Sequence, residues 1–293
     1  MLLKYGLGYE MEYHMIGVVG GGTMGAGIAT SCAVAGENVV LVEADETRAE
    51  AALGSVRDSV SRLARKNETI DVDTVLARVI VATELAATDG CQMVIEAVPE
   101  DLEMKRTLFG ELDRMHDAGV VLASNTSSLS IGSIAEGLAH RGRVIGAHFF
   151  NPVPVSALVE IVVGPETAES TTAAATALAT TLDKTPIVVK DSPGFASSRL
   201  GLVLGLEAIR MLESGVASAT DIDTAMELGY RHPMGPLRLT DLIGLDVRLA
   251  IAQHLERELG ERFAPPALLI EKVAAGQLGK KSGVGFYQWG QAP

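Results

Sequence analysis

Residues 16–27 of the chain, IGVVGGGTMGAG, decide the fold of its N-terminal part. The apolar run 16–19 is typical of a short buried strand, and residues 24–35 continue as a helix of small and apolar side chains. Between them, Gly20, Gly22 and Gly25 form the pattern G-x-G-x-x-G. A strand, a tight glycine turn and a helix in this order predict a fold that binds a dinucleotide.

The three glycines have different roles in holding a pyrophosphate. Gly20 permits the tight turn, Gly22 lets a phosphate approach the backbone, and Gly25 lets the helix pack closely on the strand. The helix N-terminus at Thr23 and Met24 offers N–H groups and the positive end of the helix dipole to the phosphates. We therefore expect these five residues to bind a cofactor.

An acidic residue follows the second predicted strand, residues 38–42. This residue, Glu43, lies about twenty positions beyond Gly22, where dinucleotide-binding folds place an acid on the ribose hydroxyls. A glycine pattern alone also marks ordinary turns, but the acid at this distance favours a cofactor site. Because Glu43 repels a 2′-phosphate and Ala44 supplies no cation, the sequence predicts NAD rather than NADP. The nearest alternative cation is Arg48, one helical turn further on.

The composition restricts the class of protein and its partners. With 293 residues, 47% of them hydrophobic, the chain is long enough for one large or two ordinary globular domains. The formal net charge of −13 at pH 7 argues against nucleic acid and anionic membranes as partners. The most apolar helical stretch, 194–212, is interrupted by Arg199, Glu207 and Arg210, which argues against a membrane span.

The cysteines and the first residues predict a cytoplasmic protein. Cys32 and Cys91 lie in apolar contexts without metal-like spacing, so we expect reduced core residues and no metal site. Residues 1–14 lack a charged start followed by a sustained apolar run, so they do not resemble a signal peptide. We predict that they form a dispensable N-terminal extension, with Met11 and Met15 as alternative starts.

The order of predicted strands and helices divides the chain into two domains. From 15 to 190, strands alternate with helices, which predicts an α/β domain with a doubly wound, mostly parallel sheet. The strands predicted after Glu43 are 79–82, 93–98, 120–123, 144–147, 159–163 and 187–189. From 191 to 293 the pattern is all-α, with helices expected at 194–213, 219–228, 236–259 and 266–275.

Polar side chains stand where several predicted strands end. They are Glu43, Glu100, the run Ser-Asn-Thr-Ser-Ser at 124–128, and His148 with Asn151. In open α/β sheets, ligands bind outside the carboxyl ends of the strands, so we expect these groups to converge on one site. The alternative for Asn125 and Ser127 is that they only cap the helix that follows them.

The pair of His148 and Glu160 indicates the chemistry. His148 ends a predicted buried strand, and Glu160 lies inside the apolar run LVEIVV, where a carboxylate needs a partner. A carboxylate on one imidazole nitrogen fixes the tautomer and supports the imidazolium, so the other nitrogen accepts a proton. Beside a nicotinamide, such a pair suits oxidation of an alcohol. The alternative is a structural histidine.

A basic cluster lies on the second predicted helix of an otherwise acidic chain. It consists of Arg57, Arg62, Arg65 and Lys66. One interpretation is a solvated helix face, and the other is a site for a phosphorylated carrier. Ser59 and Lys66 are two helical turns apart, so we expect them to share a face.

Taken together, these residues resemble the 3-hydroxyacyl-CoA dehydrogenase family, and most of all its bacterial 3-hydroxybutyryl-CoA dehydrogenases, over residues 16–288. The motifs that carry the resemblance are GGGTMGAGIA, IEAVPE, ASNTSSL, GAHFFNPVP, LVEIV, DSPGF, HPMGPL and GVGFY. The resemblance implies an NAD-binding Rossmann domain and a helical C-terminal domain that mediates dimerisation. It also implies reversible oxidation of an L-3-hydroxyacyl-CoA to the 3-ketoacyl-CoA.

The resemblance also implies roles for single residues. His148 is the base, Glu160 is its partner, and Ser127 contacts the substrate oxygen and the nicotinamide region. Further residues of the cofactor site are Glu100, Lys105, Asn151 and Lys281. Ser59 and Lys66 fall where the family contacts CoA, which favours the basic cluster as a binding site.

The chain departs from the family pattern at one position. The family usually has PGFxxNR, and here the sequence is PGFASSR, with Ser198 in place of the Asn that holds the substrate carbonyl. We expect Ser198 to contact the substrate, with a changed substrate or rate; the alternative is that it only caps or pads its helix. Two alternatives stay open: a relative that acts on a hydroxyacyl group carried by a protein, and a non-catalytic NAD-binding protein.

Overall fold

The glycine-rich stretch connects the first strand to the first helix, as predicted. Strand β1 is Met15–Val19 and helix α1 is Thr23–Val34. The computed structural model describes residues 15–290, so the predicted N-terminal extension over 1–14 lies outside the described residues. The chain divides after Asp191 into two compact units.

The first unit is built on an eight-stranded sheet with the order β3-β2-β1-β4-β5-β6-β7-β8. The further strands are β2 (Asn38–Val42), β3 (Val79–Ala82), β4 (Met93–Glu96), β5 (Val121–Ser124), β6 (Val144–Phe149), β7 (Leu158–Val163) and β8 (Thr185–Lys190). Neighbouring strands are parallel except β6 and β7, which are antiparallel. The predicted doubly wound, mostly parallel sheet is therefore confirmed. Strand β4 ends two residues earlier than predicted, and β8 is longer than predicted.

Further helices accompany the sheet, and most of them begin at a capping side chain. They are α2 (Glu46–Ala64), α3 (Val72–Leu76), α4 (Leu102–Met115), α5 (Ile131–Ile134) and α6 (Glu169–Thr181). The side chains of Asp45, Asp101 and Ser130 accept hydrogen bonds from backbone N–H groups of α2, α4 and α5. Each such cap stabilises its helix by about 1 kcal/mol.

The central strands β4, β5 and β6 are buried along their whole lengths. Continuous apolar runs are typical of parallel strands that are covered on both faces. Three polar side chains interrupt these runs, namely Glu96, Ser124 and His148, and all three are buried. Because an unpaired buried polar or charged group is costly, each of them needs a partner, and these partners define the site described below.

The second unit is helical. Its helices are α7 (Ser197–Glu213), α8 (Ala219–Thr224), α9 (Pro236–Ile243), α10 (Leu245–Leu259) and α11 (Ala267–Ala274), and a π-helical turn, Ala225–Gly229, follows α8. The prediction of one helix over 236–259 is wrong, because Gly244 adopts a φ of 107° and separates α9 from α10. Only isolated β-bridges occur in the described part of this unit, between residues 279 and 288.

Two buried aspartates explain the glycines of HPMGPL and GVGFY. Asp223 accepts the N–H groups of Leu237 and Arg238 at the start of α9, and a Cβ on Gly235 would lie 2.2 Å from its side chain. Asp241 accepts the N–H groups of residues 286 and 287, and a Cβ on Gly285 would lie 2.2 Å from its Oδ1. Both motifs therefore stabilise the helical unit.

Along residues 15–290, no helix is long and apolar enough to cross a membrane. Cys32 and Cys91 are free and buried. Burial is the main reason why the pKa of the Cys32 thiol rises to about 12 and that of Cys91 to about 11. Over the same described range, no group of His, Cys, Asp and Glu side chains is arranged to hold a metal ion.

Candidate active site

The glycine loop leaves room for a pyrophosphate at one position and close packing at two others. A Cβ on Gly20, which has a φ of 96°, would lie 2.8 Å from the carbonyl oxygen of Ala97, and a Cβ on Gly25 would lie 1.7 Å from that of Gly20. Nothing lies within 4 Å of a Cβ built on Gly22. This open position beside the start of α1 fits a phosphate that approaches the backbone.

The carboxylate of Glu43 lies against the same loop. Its Oε1 accepts a hydrogen bond of 2.6 Å from the N–H of Gly21, and its Oε2 accepts one of 2.9 Å from the N–H of Ala44. A cavity of about 1060 Å³ adjoins it, and its lining includes Gly20, Gly22, Thr23, Met24, Glu43, Arg48, Val98 and Met104. The volume, the apolar walls and the acid fit the adenosine half of a dinucleotide.

A buried ion pair lies beneath the ends of β4 and β5. Lys105 Nζ lies 2.5 Å from Glu96 Oε1, and neither side chain is exposed. Glu96 Oε2 accepts a hydrogen bond of 2.6 Å from Ser124 Oγ. Burial raises the pKa of Glu96 above its ordinary value, against the opposing effect of the Lys105 charge. The ammonium of Lys105 also lies 3.5 Å from Glu100 Oε2, which links the buried pair to the surface of the site.

Glu100 organises the Ser-Asn-Thr-Ser-Ser run. Its Oε1 accepts hydrogen bonds from Thr126 Oγ1 at 2.7 Å and from the N–H of Ser127 at 2.9 Å. The hydroxyl groups of Ser127 and Ser128 lie 3.3 Å and 3.1 Å from the same oxygen. Burial by itself would raise the pKa of Glu100, but these bonds and the Lys105 charge outweigh it and lower the pKa.

Capping does not explain Asn125 or Ser127. The cap of α5 is Ser130, whose side chain accepts the N–H of Ser133. Asn125 Oδ1 instead accepts a hydrogen bond of 3.0 Å from the N–H of Phe149, at the end of β6. The polar run of β5 is thus tied to Glu100 on one side and to the strand of His148 on the other.

His148 and Glu160 face each other across the antiparallel pair of β6 and β7. His148 Nδ1 lies 2.7 Å from Glu160 Oε2, so the predicted contact is present. Glu160 is fully buried, whereas the side chain of His148 is 9% exposed. The ring of Phe150 lies beside the imidazole, with the centroids 4.5 Å apart and the planes tilted by 44°. The imidazole is thus held on one nitrogen and by an aromatic wall.

The other predicted residues lie at several places in the two units. Asn151 is exposed and is the second residue of the loop after β6. Ser59 lies within α2, but that helix ends at Ala64, so the exposed Lys66 lies just beyond its C-terminus. In the helical unit, Ser198 is the second residue of α7, and Lys281 Nζ lies 2.6 Å from Asp246.

Sequence reasoning missed the buried network of Glu96 and Ser124. The available signal was the acid inside the apolar run MVIEAV, which is the same signal that pointed to Glu160 in LVEIVV. Lys105, which was predicted as a cofactor residue, is fully buried and acts on the site surface through Glu100. Direct contact of Lys105 with the cofactor stays a prediction.

Comparisons with known proteins agree with the fold and show the family. Residues 15–192 match the family "3-hydroxyacyl-CoA dehydrogenase, NAD binding domain", and residues 194–289 match the corresponding C-terminal domain. The fold, the glycine loop and the match define an NAD-dependent dehydrogenase. The chain belongs to the 3-hydroxyacyl-CoA dehydrogenase family.

Similar proteins span nearly the whole chain. It is 43% identical to a probable 3-hydroxybutyryl-CoA dehydrogenase of Bacillus subtilis, over 95% of this chain and 98% of the relative. It is 39% identical to a mitochondrial hydroxyacyl-coenzyme A dehydrogenase of Rattus norvegicus, over 93% and 90% of the two chains. The crystal structure of (S)-3-hydroxybutyryl-CoA dehydrogenase from Ralstonia eutropha matches with a TM-score of 0.92 at 41% identity, over 95% and 100%.

Proposed function

We propose that this enzyme interconverts a short-chain L-3-hydroxyacyl-CoA, such as 3-hydroxybutyryl-CoA, and the corresponding 3-ketoacyl-CoA. The observation that carries the proposal is the 2.7 Å contact between His148 Nδ1 and Glu160 Oε2 at the carboxyl end of β6. The short chain is supported by the names of the relatives from Bacillus subtilis and Ralstonia eutropha.

In the proposed reaction His148 is the general base. Glu160 accepts a hydrogen bond from Nδ1–H, so Nε2 is the atom that takes the proton of the substrate hydroxyl. The fully buried carboxylate then stabilises the imidazolium that forms. In the reverse direction the same nitrogen returns the proton to the carbonyl oxygen. NAD, when bound, supplies the acceptor for the hydride.

The residues around the base orient the substrate and the cofactor. Ser127 contacts the substrate oxygen, and the 3.3 Å contact between its hydroxyl and Glu100 Oε1 holds the side chain in place. Cofactor binding is assigned to the glycine loop and to Glu43, Glu100, Lys105, Ser127, Asn151 and Lys281. Ser198 takes the place of the family Asn and contacts the acyl group.

The substrate carrier is proposed to be CoA. Exposed cations, Arg57, Arg62, Arg65 and Lys66, lie along and just beyond α2, where a phosphorylated carrier finds positive charge in an acidic protein. Ser59, half-buried on the same helix, adds a hydroxyl. A carrier-protein substrate is the second candidate, because such a substrate also brings a phosphopantetheine group.

The enzyme is further proposed to be a homodimer in the cytoplasm. Leu200, Val203 and Leu204 on α7 are 66%, 42% and 41% exposed, and their spacing brings them to one helix face. Leu242 and Val247 on α9 and α10 are also exposed, which favours a second copy as the cover. Light scattering at micromolar concentration is expected to give a dimer, and a monomer would refute this assignment. The two free thiols suit a reducing compartment.

The test of the proposed function is NADH consumption with acetoacetyl-CoA, compared with the same acyl group on a carrier protein. Turnover of the CoA ester at the higher kcat/KM supports the proposal. A higher kcat/KM with the carrier-protein substrate would favour the second candidate, an enzyme that acts on carrier-bound hydroxyacyl groups. If neither substrate is turned over while NADH still binds, the protein is a non-catalytic NAD-binding member of its family.

A further inference from the structure

Lys184 occupies a fixed position at the end of α6. Asp183, in the left-handed conformation with a φ of 55°, follows the last turn of the helix. The N–H of Asp183 bonds to the carbonyl of Thr180 and that of Lys184 to the carbonyl of Ala179, which is the Schellman pattern. The residue at the position of Lys184 in this pattern is commonly hydrophobic and packs on its own helix. A lysine at this position indicates a role other than packing on the helix.

The ammonium of Lys184 binds the loop that follows the strand of His148. Its Nζ donates hydrogen bonds of 2.6 Å to the carbonyl of Val153 and 2.8 Å to the carbonyl of Ser156. Lys184 is only 7% exposed. Just beyond it, the N–H of Thr185 bonds to the carbonyl of Ala157. The side chain of Lys184 therefore links two backbone carbonyls of the loop 150–157.

Val153 fixes the same loop to the first helix. It is 2% exposed, and a Cβ on Gly27 would lie 2.9 Å from Val153 Cβ. The missing side chain of Gly27 thus makes the notch into which Val153 packs, one turn into α1 from the glycine loop. The loop 150–157 is held by an ammonium on one side and by an apolar contact on the other.

We propose that Lys184 is a positioning residue for the nicotinamide half of the cofactor, because it fixes the loop 150–157, which contains Asn151. The proposal rests on the cofactor role assigned to Asn151 above. The strand order separates the two halves of the cofactor site: Glu43 follows β2 on one side of the switch between β1 and β4, and Asn151 follows β6 on the other. Lys184 therefore acts on one half only.

The cost of the buried ammonium supports a specific role. Burial lowers the pKa of Lys184, and the charge of the neighbouring Asp183 carboxylate opposes this shift only in part. Within residues 15–290, the hydrogen bonds of this buried cation go to two backbone carbonyls, which costs stability compared with an apolar side chain of the same length. Methionine would fill the same space without a buried charge. It would, however, leave the carbonyls of Val153 and Ser156 without their hydrogen-bond donor, so the ammonium serves to hold the loop.

The experiment compares two ligands that differ by the nicotinamide group. NADH and ADP-ribose are titrated calorimetrically into wild type and Lys184→Met, and thermal unfolding is recorded for each protein. We expect Lys184→Met to bind NADH about tenfold more weakly, equivalent to about 1.4 kcal/mol. ADP-ribose, which contacts the glycine loop and the Glu43 side, is expected to bind as it does to wild type.

Two variants separate positioning from general destabilisation. Lys184→Arg keeps donors for both carbonyls and is expected to restore most of the NADH affinity, whereas the exposed Lys190→Met is expected to change neither ligand. Equal weakening of both ligands by Lys184→Met, or of neither, would overturn the proposal. If Lys184→Met does not fold, Val153→Ala is titrated instead and has to show the same difference between ligands. If wild type does not turn over acetoacetyl-CoA, the proposed function is refuted, but the comparison of NADH and ADP-ribose binding still tests the role of Lys184.

Discussion

Lys105 Nζ lies 2.5 Å from Glu96 Oε1, with both side chains fully buried under the carboxyl ends of β4 and β5. The same ammonium reaches Glu100 at 3.5 Å, and Glu100 in turn binds the N–H and hydroxyl of Ser127. The fully buried ammonium of Lys105 thus helps to position the carboxylate of Glu100, which in turn holds Ser127, a candidate substrate contact. The arrangement ties the stability of the sheet to the geometry of the site.

Lys105→Met is expected to destabilise the protein strongly, because it leaves the Glu96 carboxylate buried without its cation. Loss of one partner of a buried pair costs about 3–5 kcal/mol in free energy of unfolding. Urea unfolding measures this loss. The double variant Glu96→Gln with Lys105→Met removes both charges, so it is expected to recover part of the loss. Equal stability of the single and double variants would contradict the assigned ion pair.

His148→Gln is expected to lower kcat by about 10²–10⁴-fold while NADH binding stays near that of wild type, because the variant removes the general base. Glu160→Gln is expected to lower kcat less, since the imidazole keeps a hydrogen-bond partner but loses the charge that supports the imidazolium. Steady-state kinetics and NADH titration measure the two effects. Full activity of either variant between pH 6 and 9 would show that the dyad has another role.

His116 is expected to make stability depend on pH. Its side chain is buried, with Nε2 3.0 Å from Thr88 Oγ1, and burial followed by the charge of Arg143 lowers its pKa below 6.5. The unfolded chain therefore binds a proton before the folded one does. The stabilising contribution is full above pH 6.5 and is lost as pH falls through the depressed pKa of the folded state.

Urea midpoints between pH 7.5 and pH 5 measure this contribution. His116→Gln keeps a polar group for Thr88 and cannot be protonated, so its midpoint is expected to fall less steeply with acid than that of wild type. His254→Gln on α10 is the control and is expected to follow wild type. Identical slopes for His116→Gln and wild type would mean that His116 is not responsible.

The sequence predicted those features that depend on local pattern. Short stretches of residues were enough to predict the alternating strands and helices, the glycine turn and the acid after β2. The pair of His148 and Glu160 was also predictable, because the two residues lie on adjacent strands that follow each other in the chain. The helix break at Gly244 was missed, although glycine itself is a common helix end, because apolar periodicity continues on both sides.

Contacts that join distant parts of the chain were not predictable in the same way. Glu96 bonds to Ser124, 28 residues further on, and Lys184 bonds to the carbonyl of Val153, 31 residues before it. An acid in an apolar run announces that a partner exists, but the identity of this partner depends on the strand order of the sheet. A lysine after a helix does not indicate a buried contact, because most lysines at such positions are solvated.

The carboxylate of Glu43 is expected to make the enzyme prefer NADH to NADPH. It is held against the glycine loop by the N–H groups of Gly21 and Ala44, where it repels a 2′-phosphate. Glu43→Gln is expected to reduce this preference, because Arg48 lines the same cavity and then lacks a competing charge. The ratio of kcat/KM for the two cofactors measures the effect. A wild-type preference for NADPH would refute the role of Glu43.

Ser198 is expected to replace the family Asn as a working substrate contact. It is the second residue of α7, and the N-cap of that helix is Ala196, so Ser198 is not the cap. Its side chain is half-buried. A serine hydroxyl donates one hydrogen bond, as the Asn amide does, but with a shorter reach, which a water molecule can bridge in a polar pocket.

Ser198→Ala is therefore expected to lose about 1–3 kcal/mol of transition-state binding, seen mainly in kcat/KM for the acyl-CoA. Ser198→Asn restores the longer amide, so it is expected to keep or raise activity with acetoacetyl-CoA. Unfolding midpoints of both variants serve as the control, because a residue that merely pads the helix would change stability and leave kcat/KM intact. If Ser198→Ala matches wild type on every substrate that is turned over, Ser198 has no role in substrate binding.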